Sequence, residues 1–235
     1  ALRLAGNRGY GESMASGTHV SSELAAYVLD EILPQYSAQL VELVSEVAFL
    51  GICTAELANA LLDRSDSALL IEQLRTDEFP LVREKDGALT YHPLMRRVLE
   101  HLAARREPER HTARVIRAAE LLELEGEFSR SLMILANHPD RELLVDFIVR
   151  FGIRQAFLGN AHLVRSHLDS FSSRQVQQYS DLQFVYMMLD VVEGNFSSLP
   201  EWVRRLHGLK PGPSLSGDLG SESPVEVVAV MLGLS

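Results

Sequence analysis

Three short stretches decide the fold: Glu125-Gly126-Glu127-Phe128, Leu158-Gly159-Asn160-Ala161 and Glu193-Gly194-Asn195-Phe196. Their glycines follow one another at 33 and 35 residues, close to the period of about 34 that stacked helical hairpins show. In each case apolar residues three and four apart run into the glycine, and a second helical pattern opens shortly after it. Glycine at such a point supplies the left-handed backbone that lets two helices reverse direction. The pattern predicts helices near 109–125, 128–137, 140–158, 161–170, 180–193 and 197–208. Hairpins of this kind cannot bury both faces alone, so they must stack on their neighbours.

Upstream of this TPR-like array the pattern is different. Ser22 is placed to cap a helix with Leu24, Ala25, Val28, Leu29 and Ile32 on one face, and Pro34 separates it from a second helix, Gln35 to about Leu50, ending at Gly51. Thr54 is a plausible N-cap for a short helix through Leu62, and Ser65 or Asp66 opens another in which Leu69, Leu70 and Leu74 share a face. The period then changes. Phe79 to Arg83 and Ala88 to Tyr91 read as strands on either side of Glu84-Lys85-Asp86-Gly87, because Asp-Gly tolerates the positive φ of a tight hairpin. A helix follows at once, with Pro93 suited to its first turn and Leu94, Val98, Leu99 and Leu102 at helical spacing.

The fold class expected is therefore all-α: a winged-helix domain with a small β-hairpin, followed by TPR-like α-helical hairpin repeats. The organisation reads as a helical stub plus a Gly-rich flexible linker at 1–21, the winged-helix-like domain at 22–106 and TPR-like repeats at 107–208. A linker or long loop at 209–223 and the start of a further helix at 224–235 complete it. The stub without a beginning and the last helix without a partner are expected of a piece cut from a longer polypeptide.

Composition narrows the function. Lys+Arg 22 against Asp+Glu 32 leaves a formal charge of −10, which repels a phosphate backbone, so direct nucleic-acid binding by this segment is not expected. Seven arginines, Arg96, Arg97, Arg105, Arg106, Arg110, Arg114 and Arg117, do cluster against only Glu100, Glu107 and Glu109. The plainer reading is a solvated or interdomain face, because the helix before the wing, the one that enters DNA in groove readers, carries Glu72, Asp77 and Glu78 with only Arg75. Cys53 is the single cysteine, in an apolar setting, which fits a small core residue in a reducing compartment. No apolar run is long enough to span a bilayer and no signal peptide is recognisable, so a cytoplasmic protein with no membrane partner is expected.

Sequence signals for chemistry are missing. There is no G-x-x-x-x-G-K-[ST] loop, no G-x-S-x-G elbow and no H-E-x-x-H, and His162 and His167, five apart, fall on different faces of a helix. No catalytic residue and no metal site are expected in this segment.

The order of features resembles the mid-section of MalT-like transcriptional regulators, the large ATP-dependent LuxR family, a branch of the STAND signalling NTPases. The residues that carry the resemblance are Tyr27-Val-Leu-Asp-Glu-Ile-Leu-Pro34, Phe79-Pro-Leu-Val82, Tyr91-His92-Pro93-Leu94-Met95, Phe157-Leu-Gly159 and Val164-Arg165-Ser-His-Leu168. Ala1-Leu-Arg-Leu-Ala5 looks like the end of that family's ATPase module. The resemblance implies an ATP-gated switch: an ATPase module binding ATP or ADP upstream, a winged-helix arm, a helical array that senses a small-molecule inducer or a regulatory protein, and a DNA-binding helix-turn-helix downstream. It also implies a role for one residue. Where related signalling NTPases place a Met-His-Asp motif whose histidine faces the β-phosphate of ADP, this chain has Tyr91-His92-Pro93, so His92 is the expected nucleotide sensor. Pro93 stands where the acidic residue would be, and a histidine packed at a helix start is the alternative. A second reading of the whole is a TPR-type protein-interaction adaptor unrelated to transcription, for which the winged module would be incidental.

Overall fold

A computed structural model describes residues 22–198 apart from 78, 80, 81, 86, 173, 174, 177 and 178. The expected stub and linker before Ser22, almost all of the expected 197–208 helix and everything after it lie outside the described residues. The chain divides into two units, one up to Arg114 and one from Val115 onward.

The first unit opens with α1 (Ser22–Tyr27), which passes into a π-wound turn, Val28–Ile32, and a 3-10 turn, Leu33–Gln35. Widening the turn from i→i+4 to i→i+5 rotates the following side chains out of the 3.6 phase. This accounts for one departure from the expected face: Val28 and Leu33 are buried, whereas Leu29 is exposed. Helix α2 (Ala38–Glu46) starts later than Gln35, because Tyr36 is extended and the Ser37 hydroxyl accepts from the Leu40 N–H at 3.4 Å. Leu40, Leu43, Val44 and Val47 line its core side, and a 3-10 turn, Ala48–Leu50, ends at Gly51 with φ +72°.

A strand that the sequence pattern did not reveal follows: β1 (Ile52–Thr54). The Thr54 hydroxyl then caps α3 (Ala55–Leu62) by accepting from Leu57 N–H at 3.2 Å. Helix α4 spans Ser67–Thr76. Asp66 does not cap it, since its carboxylate is held by Arg64 at 2.6 Å, and the Ser67 N–H donates instead to Asn59 Oδ1 at 3.1 Å. Its buried face is Leu70, Ile71 and Leu74, while Leu69 is 75% exposed, so the expected Leu69-containing face is off by one position.

The wing is a hairpin of β2 (Val82–Lys85) and β3 (Ala88–Tyr91), with Lys85 opposite Ala88. Both strands thus run up to the turn, which Gly87 closes at φ +80°. Phe79 is not part of β2 but is buried, edge-on to Tyr36 with ring centroids 4.5 Å apart. Strand β1 pairs antiparallel with β3, Cys53 opposite Leu89, giving a three-stranded sheet in the order β1-β3-β2. Helix α5 (Pro93–Arg106) closes the unit with Val98 and Leu99 fully buried; Leu94, expected on that face, is exposed in the first turn.

Helix α6 (Pro108–Leu124) contributes its residues up to Arg114 to the first unit and the rest to the second. In the second unit come α7 (Phe128–Ala136), α8 (Glu142–Gln155) with a π-wound turn Ala156–Asn160, α9 (Ala161–Leu168) and α10 (Ser180–Val192), followed by a 3-10 turn, Phe196–Ser198. Each repeat glycine takes positive φ: Gly126 +82°, Gly159 +95° and Gly194 +76°. The first and third turns are the same motif. Gly126 N–H donates to Glu123 C=O and Glu127 N–H to Leu122 C=O, and Gly194 and Asn195 donate in the same way to Val191 and Asp190.

The fold is therefore a winged helix followed by helical repeats. No helix among the described residues is long and apolar enough to cross a membrane.

Candidate functional site

The start of α5 is where the first unit brings the expected sensor residue and a cation together. Antiparallel pairing of β1 with β3 places Ile52 opposite Thr90, and the Tyr91 N–H reaches the Gly51 C=O at 3.4 Å. The Tyr91 hydroxyl donates to the Val44 C=O at 2.8 Å, and burial pushes its pKa well above the usual phenol value. That anchor leaves the next residue, His92, at the surface as the N-cap of α5.

His92 Nδ1 accepts from the Leu94 N–H at 3.3 Å. With Nδ1 accepting, the neutral ring carries its proton on Nε2, which is therefore a donor. One turn on, Arg96 N–H bonds the His92 C=O at 2.9 Å. The Arg96 side chain lies over Gly51, where an added Cβ would come within 3.0 Å of Nη1 and 3.6 Å of Cδ. A side chain at residue 51 would push the guanidinium out of this position by a few tenths of an ångström. Arg96 makes no ion pair with any described residue. One short stretch at the positive end of α5 thus carries an N–H donor and a guanidinium, a combination that suits an anionic oxygen such as a phosphate.

Sequence reasoning named His92 and missed the seat of Arg96. The signal was there in part, because a helix-ending glycine and an arginine four residues after the histidine are both readable, but their proximity depends on β1 pairing with β3.

The remaining arginines of the cluster divide by use. Arg110 bonds Glu107 at 3.2 Å and Glu42 at 3.3 Å, and Arg114 pairs with Glu46, so both tie the start of α6 to α2. Burial lowers the pKa of Arg114, with Glu42 opposing. In α4, which stands where groove readers place their recognition helix, the exposed stripe is Leu69, Glu72, Gln73 and Thr76, and its one arginine, Arg75, is paired with Glu72. A stripe of this composition offers little to a phosphate backbone.

In the second unit a polar node lies under the first two glycine turns. Glu123, 3% exposed, accepts from Arg154 and, at 2.8 Å, from Gln155 Nε2, and Gln155 in turn accepts from Asn160 at 2.7 Å. Under the third turn, Arg165 holds Asp190 and Glu193, each at 2.7 Å. Among the described residues no group of three or more His, Cys, Asp or Glu side chains is placed to hold a metal ion.

Residues 29–111 match the family model of the MalT winged helix domain. The match begins in the π-wound turn, ends in α6 and includes both His92 and Arg96. No curated protein and no solved structure matches the chain. The first unit is thus similar to the winged helix of MalT, which supports a relation to MalT-like regulators.

Proposed function

We propose that this chain is the regulatory arm and sensor scaffold of a MalT-like, ATP-dependent regulator of the LuxR and STAND type. The winged helix relays the nucleotide state of an ATPase module in the same polypeptide. The TPR-like hairpins take up a small inducer or a regulatory protein, and the output is passed to a DNA-binding helix-turn-helix of that polypeptide. The segment itself performs no catalysis, binds no nucleic acid directly, and acts in the cytoplasm. The observation that carries the reading is the His92 and Arg96 pair at the start of α5, within the stretch that matches the MalT winged helix.

In the closed state, His92 Nε2–H and the Arg96 guanidinium bind the diphosphate of ADP held by the ATPase module. Each charge-assisted contact contributes about 1.5–3 kcal/mol, so losing one shifts the balance toward the open state. The test is ADP binding by calorimetry to the full regulator carrying His92→Ala or Arg96→Ala. A loss of about tenfold or more in ADP affinity, with raised basal activity, is expected. Unchanged affinity and unchanged basal activity in both variants would sink the nucleotide reading and leave the adaptor reading, whose support is the set of exposed apolar residues at the glycine turns.

A further inference from the structure

Among its described residues the second unit exposes five large apolar side chains, and four of them, Leu124, Phe157, Leu158 and Phe196, flank the glycine turns. They are 77, 65, 67 and 61% exposed, and it is their grouping at the turns, not the exposure of any one of them, that marks a surface. Side-chain pairing places these turns on one edge of the array. Arg150 with Glu120 and Arg154 with Glu123 bring the C-terminal ends of α8 and α6 side by side. Arg165, in the last turn of α9, pairs with Asp190 and Glu193 at the end of α10, and α10 also packs on the π-wound turn that carries Gly159. The apolar residues therefore form a row, one step per hairpin, and not three scattered points.

The net charge beside the row is acidic. Glu125 and Glu127 are exposed at the first turn, Arg165 is shared between Asp190 and Glu193 at the third and leaves that cluster with one net negative charge, and the exposed Arg154 is tied to Glu123. Spacing adds a second constraint. Packed helices lie about 8–10 Å apart, so successive turns recur at about that distance. A helix advances about 10.5 Å per seven residues, so a helix laid along the edge would present one apolar residue per heptad to each turn in succession.

We propose that this turn edge is a docking surface for a cationic amphipathic helix of another protein, with apolar residues at heptad spacing and Lys or Arg on its flanks. Leu124, Phe157, Leu158 and Phe196 take the apolar stripe, and Glu125, Glu127 and the net-negative Arg165, Asp190 and Glu193 cluster take the flanking charges. The proposal gives the partner-sensing half of the function proposed above a surface and a partner chemistry, and so rests on that half. It is independent of the nucleotide contacts at His92.

The test uses the full 235-residue chain and a fluorescein-labelled synthetic helix of about three heptads, with leucines at heptad spacing and lysines elsewhere, read by fluorescence polarisation at about 0.15 M salt. Saturable binding is expected, with a loss of about tenfold or more for the double variant Phe157→Ser, Leu158→Ser. Met133→Ser, which alters the exposed apolar residue midway along α7, should bind as the parent does. A peptide with its leucines replaced by alanine, all lysines kept, should not bind. Equal binding to the double variant, equal binding of the alanine peptide, or no binding to the parent chain overturns the proposal. So does sedimentation showing a self-associated chain that Phe157→Ser, Leu158→Ser dissociates, since the row would then serve a second copy. If ADP affinity still falls in the His92→Ala regulator, failure here removes the docking surface and leaves the nucleotide reading standing.

Discussion

Gln155 Nε2 donates to Glu123 Oε1 at 2.8 Å, joining the ends of two helices through a pair of side chains that are both under 5% exposed. The second carboxylate oxygen, Oε2, is buried without a partner among the described residues. Removing only one member of such a pair leaves the other desolvated, so Glu123→Ala is expected to cost about 2–3 kcal/mol. Replacing both with Met fills a similar volume and leaves over only the exposed Arg154 and the half-buried Asn160, which can turn to water, so it should cost far less than the two single losses combined. Urea midpoints of the single and double variants check this, and additive losses would refute it.

Gly126 and Gly152 are needed for different reasons. At Gly126, φ is +82° and nothing lies within 4 Å of an added Cβ, so Gly126→Ala suffers backbone strain alone, about 1–2 kcal/mol, and Gly126→Asn less. At Gly152 the backbone is helical, but an added Cβ would meet Ile148 Cγ2 at 3.2 Å and Val164 Cγ1 at 3.3 Å. Gly152→Leu forces α8 from α9, and a loss of about 3 kcal/mol or more is expected. Thermal melts should rank the damage, from least to most, as Gly126→Asn, Gly126→Ala and Gly152→Leu.

Thr54 ends β1 and caps α3 with one side chain. Thr54→Val keeps the shape and β preference but removes the acceptor for Leu57 N–H, at an expected cost of about 1 kcal/mol. Thr54→Ser should recover most of it. If Thr54→Val melts with the parent, the cap is energetically idle.

His167 gives a sign for pH dependence. Burial lowers its pKa below the ordinary 6.5, and the Arg141 charge lowers it further. The unfolded chain therefore binds this proton more readily than the folded one, so the stability linked to His167 is complete above pH 6.5 and is lost as pH falls below it. The melting temperature should drop on acidification from pH 7.5 toward 5, and less so in His167→Gln. A steeper drop in that variant would contradict the assignment.

Long-period features were legible because they repeat. Each hairpin glycine ends an amphipathic run, and the observed helices start and stop within a few residues of the expected ones. Local capping was legible too, at Thr54 and at His92, where a polar side chain precedes a helical pattern. What failed depends on partners distant in sequence. β1 has three residues, too few to show a period of two, and exists because Cys53 finds Leu89. The stripe Leu69, Leu70, Ile71 and Leu74 offers two overlapping faces, and only the packed unit selects the one without Leu69. At the candidate site the histidine could be read directly. The arginine beside it could not, because the value of a missing Cβ at Gly51 emerges only when strand pairing brings that turn under α5.

The burial of Cys53 on β1 gives the molecule a built-in reporter. As the only thiol in these 235 residues, with no exposure to solvent, it is shielded from alkylating reagents while β1 stays zipped to β3. Its labelling rate therefore counts how often the first unit breathes open, and a ligand that seals the start of α5 should slow that clock without touching the sulfur.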